Sequence, residues 1–186
     1  MGFYGEEETA LQYIAMAEGD DGGELVEVLS THLAEGANVL EIGMGPGVDL
    51  DLLNVRFQAT GSDYSQFFLD RYRVAHPNSD LIQLDAVGLE TERTFDCIYS
   101  NKVLHHLTNE QLAQSIHRQR EVLESNGLIM HSFWRGTGVD EHHGLRFVYQ
   151  TEDSIRSIVG EVFNVVDIVV YTEMEDGDSL YVLASV

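Results

Sequence analysis

Ten residues, Asn38-Val-Leu-Glu-Ile-Gly-Met-Gly-Pro-Gly47, constrain the fold more than any other stretch of the chain. A short apolar run with Val39, Leu40 and Ile42 leads straight into glycines at 43, 45 and 47, with a carboxylate at Glu41. Glycine lacks a Cβ, so the stretch allows the positive φ of a tight turn and lets a ligand touch the backbone. A helix starting near Pro46 would aim its free N–H groups and the positive end of its dipole at that ligand.

The rest of the chain alternates strands and helices. Apolar runs predict strands over about 38–42, 57–62, 81–84, 95–100 and 128–133, then two more at 165–171 and 179–185. Helices are predicted over about 7–17, 24–34, 48–54, 65–75, 109–125 and 152–159. Leu25, Val28, Leu29 and Leu33 form one apolar stripe, which His32 shares as packing, and Gly36 closes that helix. Pro77 stops the fourth helix. Thr108 and Gln111 have the spacing of a capping box, Thr151 stands as a cap, and Asn126-Gly127 marks a stop. The order implies a parallel sheet with right-handed crossovers and helices on both faces, closed by two antiparallel final strands. Residues 134–149 show no clear periodicity and read as a long loop, a common place for function.

At 186 residues the chain fits one domain, 1–186, able to bury about 70% of its unfolded surface. The formal charge is −22, with ten basic residues against thirty-two acidic ones, and Lys102 is the sole lysine. Such a surface repels nucleic-acid backbones; it reads first as a solvated acidic surface, as in proteins of high-salt cytoplasm, and alternatively as a collector of cationic ligands. No apolar run reaches the ~20 residues that span a bilayer. The N-terminus has no basic segment followed by an apolar one, and Glu6 stands where a myristoylation signal needs Ser or Thr. Cys97 is the only cysteine, inside an apolar strand, and suits a reducing, cytoplasmic compartment as a small core residue.

Ligands of open α/β sheets bind outside the carboxyl ends of the strands, and the chemistry-bearing residues fall there. The first strand supplies Glu41, Gly43, Met44 and Gly45. The second ends in Asp63, 22 positions after Glu41, with Tyr64 able to cover a flat base. An acidic side chain at such an offset can accept from both hydroxyls of a ribose, and Asp63 is alternatively a helix cap. The third strand ends in Asp85-Ala86, and the fourth in Ser100-Asn101-Lys102-Val-Leu-His105-His106-Leu107. A dinucleotide fingerprint would need glycine where Val48 stands, and no Tyr-x-x-x-Lys pair is present.

Together the Glu41-x-Gly43-x-Gly45-x-Gly47 run, Asp63, Asp85-Ala86 and the segment after strand four resemble the motifs of class I S-adenosylmethionine (SAM) dependent methyltransferases, over nearly the whole chain. The resemblance implies a Rossmann-like, seven-stranded, mostly parallel sheet with one antiparallel C-terminal strand and helices on both faces. It also implies SAM as cofactor. Asp85 would accept from the adenine amino group, the Ala86 N–H would meet a ring nitrogen, and the Asn101-Lys102 backbone would lie beside the methionine end.

Methyl transfer is an in-line displacement, and a base is needed only when the acceptor must lose a proton. His105, His106 and Trp134 are the principal candidates on the acceptor side; His131, His142 and His143 are further ones. The expected pocket and lid comprise residues 134–149 with the N-terminal helices of 1–36, including Tyr4 and Tyr13. No metal is expected: no H-x-x-x-H or C-x-x-C spacing occurs, and Phe133-Trp134-Arg135 replaces the Asp-Asn pair of metal-dependent relatives. The reading is methyl transfer to a small-molecule acceptor by a monomer or homodimer, without nucleic-acid or membrane partners. A non-catalytic SAM-binding subunit or sensor is the alternative.

Overall fold

The computed structural model describes residues 22–142 and 144–186. The helix expected at 7–17, Tyr4, Tyr13 and His143 lie outside the described residues. In chain order the elements are α1 (Gly23–Ser30), β1 (Asn38–Ile42), α2 (Val48–Leu53), β2 (Gln58–Asp63), α3 (Gln66–Ala75), β3 (Leu81–Gln83) and β4 (Phe95–Ser100). A 3-10 turn (Leu104–His106) follows, then α4 (Asn109–Glu121), β5 (Leu123–Trp134), β6 (Val139–His142), β7 (Leu145–Val148), α5 (Glu152–Gly160), β8 (Asn164–Tyr171) and β9 (Ser179–Ser185).

Seven strands form one sheet in the order β3-β2-β1-β4-β5-β9-β8. The first five run parallel, and β9 is antiparallel to both β5 and β8. Strand order reverses between β1 and β4, so their carboxyl ends open the crevice where this architecture binds ligands.

Period-two alternation along the central strands divides the core. Leu40, Ile42, Ile98, Ile129 and Phe133 face α4 and α5, where Leu112, Ile116, Ile155 and Val159 meet them. Val39, Cys97, Tyr99 and Met130 face the other way, against Leu25 and Leu29 of α1, Leu50 of α2 and Leu69 of α3. Cys97 is fully buried and its thiol is pushed up by burial, which leaves it a packing residue.

Three expectations need correction. The helix that begins at Gly23 ends at Ser30, not 34: the Ser30 and Thr31 hydroxyls donate back to Glu27 O and Val28 O, offering the carbonyls another partner. The helix from Asn109 ends at Glu121, and Asn126-Gly127 lies within β5. Val122 and Leu123 are drawn into the core, where Phe95 N–H donates to Val122 O. Residues 134–149 are not irregular but carry an antiparallel hairpin, with Val139 paired to Val148 and His142 to Leu145. The Thr108–Gln111 capping box forms as the spacing predicts, and Thr151 caps α5 with Ser154 as its reciprocal partner.

Candidate active site

Gly43, Gly45, Asp63, Tyr64, Ala86, Lys102 and His106 line one crevice of about 170 Å³, with Ile42, Phe68, Leu84 and Leu107 among its apolar walls. The loop after β1 needs its glycines: φ is +71° at Gly43, +51° at Gly45 and +91° at Gly47. A Cβ on Gly43 would come within 2.5 Å of Val103, and one on Gly47 within 2.3 Å of Tyr72. Met44 turns its side chain into the core beside Leu50 and Tyr72, so its place in the loop is as backbone.

Asp63 ties the loop to β2. Its Oδ2 accepts from Gly45 N–H at 2.9 Å and its Oδ1 from Ser65 N–H at 2.7 Å. Burial raises the carboxyl pKa, and these N–H groups pull it back down. Tyr64 is 59% exposed at the rim, with its ring available to cover a base. Asp85 is exposed and folds its own loop, accepting from Val87 N–H at 2.6 Å, while Ala86 faces the crevice.

Behind the glycine loop lies an acidic network. Glu41 is buried, its Oε2 has no hydrogen-bond partner among the described residues, and burial with Asp49, Asp63 and Asp51 nearby raises its pKa well above the usual range. Asp49, in the first turn of α2, accepts from Gly22 N–H at 2.7 Å, Tyr99 Oη at 2.7 Å and Asn101 Nδ2 at 3.2 Å. Ser132 Oγ donates to Asn101 Oδ1 and accepts from Lys102 N–H at 2.9 Å. That chain holds Lys102 at φ +53°, a conformation non-glycine residues seldom adopt. Sequence reasoning missed Asp49 because it looks like any solvated residue of a helical first turn. The signal was a carboxylate two residues past the last glycine of the loop.

Beyond the glycine loop, Lys102 leads toward the residues expected on the acceptor side. Its ammonium lies 3.5 Å from the Trp134 ring centroid, pairs with Glu173 at 2.6 Å and donates to Ser179 Oγ at 2.6 Å. Burial lowers its pKa, and Glu173 opposes that shift. Trp134 therefore meets the lysine head rather than the crevice lining. Glu173 is set by a tight loop in which Asp178 accepts from the N–H groups of Glu173, Met174 and Glu175.

His105 and His106 sit under the hairpin. His105 is 2% exposed, neither ring nitrogen has a hydrogen-bond partner among the described residues, and its ring stacks on Phe147 at 5.1 Å. Burial drives its pKa well down, with His106 and Lys102 adding to the shift. His106 Nδ1 is 2.6 Å from Arg146 O. A carbonyl only accepts, so Nδ1 carries the proton and Nε2 the lone pair in the neutral ring. Burial keeps that ring neutral by lowering its pKa. His131 is buried in β5 between Ser100 Oγ and Gln119 Oε1, both at 2.8 Å, and its pKa is lowered to about 3. It is a core hydrogen-bonding group and does not line the crevice. His142 contributes backbone to β6. Among the described residues, no group of three or more His, Cys, Asp or Glu could hold a metal ion.

Residues 39–127 match the family described as a methyltransferase domain. No curated protein matches the chain. Among solved structures, an S-adenosylmethionine-dependent methyltransferase from Clostridium acetobutylicum superposes with TM-score 0.76 at 12% identity, covering 96% of this chain and 97% of that one. The N-methyltransferase NodS from Bradyrhizobium japonicum, in complex with S-adenosylhomocysteine, gives 0.73 at 20%, covering 95% and 97%. The 1,6-didemethyltoxoflavin-N1-methyltransferase of Burkholderia thailandensis gives 0.75 at 19%, covering 95% and 86%. At these identities the likeness is one of fold. The chain thus has the fold of these S-adenosylmethionine-dependent methyltransferases, with a methyltransferase-domain match over residues 39–127 and a glycine-loop crevice at the sheet's switch point.

Proposed function

We propose that the enzyme transfers the methyl group of SAM to a small-molecule acceptor bound between the crevice and the β6–β7 hairpin. One observation carries this reading: His106 lines the same crevice as Gly43 and Gly45, so acceptor wall and cofactor floor share one cavity.

The residues present fit the cofactor. Apolar walls suit a flat base, and Asp63 keeps lone pairs for ribose hydroxyls beyond the two N–H groups it accepts from. The unpartnered Glu41 Oε2 suits the ammonium of the methionine end. We assign Tyr64, Asp85 and Ala86 to the base, Glu41, Asn101 and Lys102 to the methionine end, and the Gly43–Gly45 backbone to close approach. Bound SAM supplies an electrophilic methyl group on a sulfonium. His106 is the group placed to take a proton at Nε2 where the acceptor must lose one; its Nδ1–H is held by Arg146 O. His105 and Trp134 back the acceptor wall from behind, through Phe147 and Lys102, and the hairpin, with the N-terminal segment of 1–36, is assigned the lid role.

Several features support a small acceptor. The Burkholderia neighbour is described with bound 1,6-didemethyltoxoflavin, and a charge of −22 opposes a nucleic-acid partner. No helix among the described residues is long and apolar enough to cross a membrane. We read the protein as one 1–186 domain working in the cytoplasm as a monomer or homodimer.

Thermal unfolding with SAM, S-adenosylhomocysteine and NAD in parallel tests the cofactor. At 100 times its dissociation constant, a ligand stabilises by about 2.7 kcal/mol, roughly 5–10 °C for a domain of this size. SAM and S-adenosylhomocysteine should shift the midpoint and NAD should not. An acceptor panel followed by S-adenosylhomocysteine release tests turnover; silence across small molecules, with activity on a protein, would overturn the acceptor class.

A further inference from the structure

We propose that Ser115 is a positioning residue for the base-binding loop, fixing the Ala86–Val87 peptide at the end of a one-way hydrogen-bond chain through Gln119, His131 and Ser100. The inference rests on the cofactor reading of the crevice.

The direction follows from the carbonyl end. Ser115 Oγ lies 2.6 Å from Ala86 O, which can only accept, so Ser115 spends its single hydroxyl proton there. Ser115 must then accept from Gln119, whose Nε2 is 3.2 Å away. That turns Gln119 Oε1 toward His131, which donates from Nε2 at 2.8 Å. His131 Nδ1 is left to accept from Ser100 Oγ at 2.8 Å. Reversing any link would give Ser115 two acceptors for one proton, and Ala86 would lose its partner.

All four side chains are 0% exposed, and a buried polar chain is costly unless each member is satisfied. This one is satisfied only when it ends on Ala86 O. The same peptide is held at its other atom, since Val87 N–H donates to Asp85 Oδ1 at 2.6 Å. One turn further along α4, Arg118 donates to Leu89 O at 3.2 Å and Thr91 O at 2.9 Å. Helix α4 thus splints the loop, and Ser115 is its contact with the residue that lines the crevice.

Titration calorimetry on the full chain tests this with SAM and, as a probe of the base side alone, adenosine. Ser115→Ala should weaken both about three- to tenfold, the weight of one buried hydrogen bond, and Ser115→Thr should restore them. A packing role alone would lower the melting temperature without that paired loss and rescue. Wild-type affinity in Ser115→Ala would overturn the inference. A wild-type chain that binds neither probe would instead remove the cofactor reading beneath it. A second measurement needs no variant: nitrogen-15 spectra of His131 should show the Nε2–H tautomer, and the Nδ1–H form would reverse the chain and sink the proposal.

Discussion

Asp63 accepts from N–H groups of both the glycine loop and the start of α3, so removing it would loosen the crevice floor as well as any ribose contact. Hydrogen bonds to a charged group contribute about 1.5–3 kcal/mol each. Asp63→Ala should therefore raise the SAM dissociation constant at least about tenfold by calorimetry, and unchanged binding would remove Asp63 from the cofactor site. His131 carries a pH signature. Its folded pKa is lowered to about 3, against ~6.5 in the unfolded chain, so its stabilising contribution is whole above ~6.5. That contribution is lost as pH falls toward 3, because the unfolded chain takes up a proton that the folded chain refuses. The stability difference between wild type and His131→Asn should narrow below ~6.5, by up to about 1.4 kcal/mol per pH unit. Chemical denaturation at pH 7 and pH 5 would measure it, and a constant difference would contradict the assignment.

At the level of elements, the β6–β7 hairpin is joined to the body through Phe147 on His105 and Arg146 O on His106. Phe147→Ala should lower kcat/KM for the acceptor several-fold while leaving SAM affinity unchanged, because the ring stacks on His105 on the proposed acceptor side; an equal loss of SAM affinity would argue against that division. This hairpin was the element least legible in the sequence. Gly136, Gly138 and Gly144 interrupt it, and its four-residue strands alternate too briefly for a period to emerge. The available signal was Gly144, at φ +79°, just before Leu145-Arg-Phe147. By contrast, β1 and its glycine loop could be read directly, since buried apolar residues and positive-φ glycines are properties of single positions. Asp49, Glu173 and Ser115 could not, because their roles depend on partners 50, 71 and 29 positions away in Tyr99, Lys102 and Ala86.

Over the whole molecule the charge of −22 sets the balance. Like charges on one surface repel in the compact state, and salt screens them over about 10 Å at 0.1 M. Raising salt from 0.05 M to about 1 M should raise the melting temperature, and a flat or falling trend would show that self-repulsion does not limit stability. The same composition leaves a single lysine, Lys102, its ammonium pressed against Trp134 and paired with Glu173 at the edge of the glycine-loop crevice. Amine-directed acylating reagents therefore have just one side-chain target in the protein, and it is shielded. The rate at which that target becomes labelled is a built-in clock for the parting of Lys102 from Trp134 and Glu173, readable by mass spectrometry without any engineered probe.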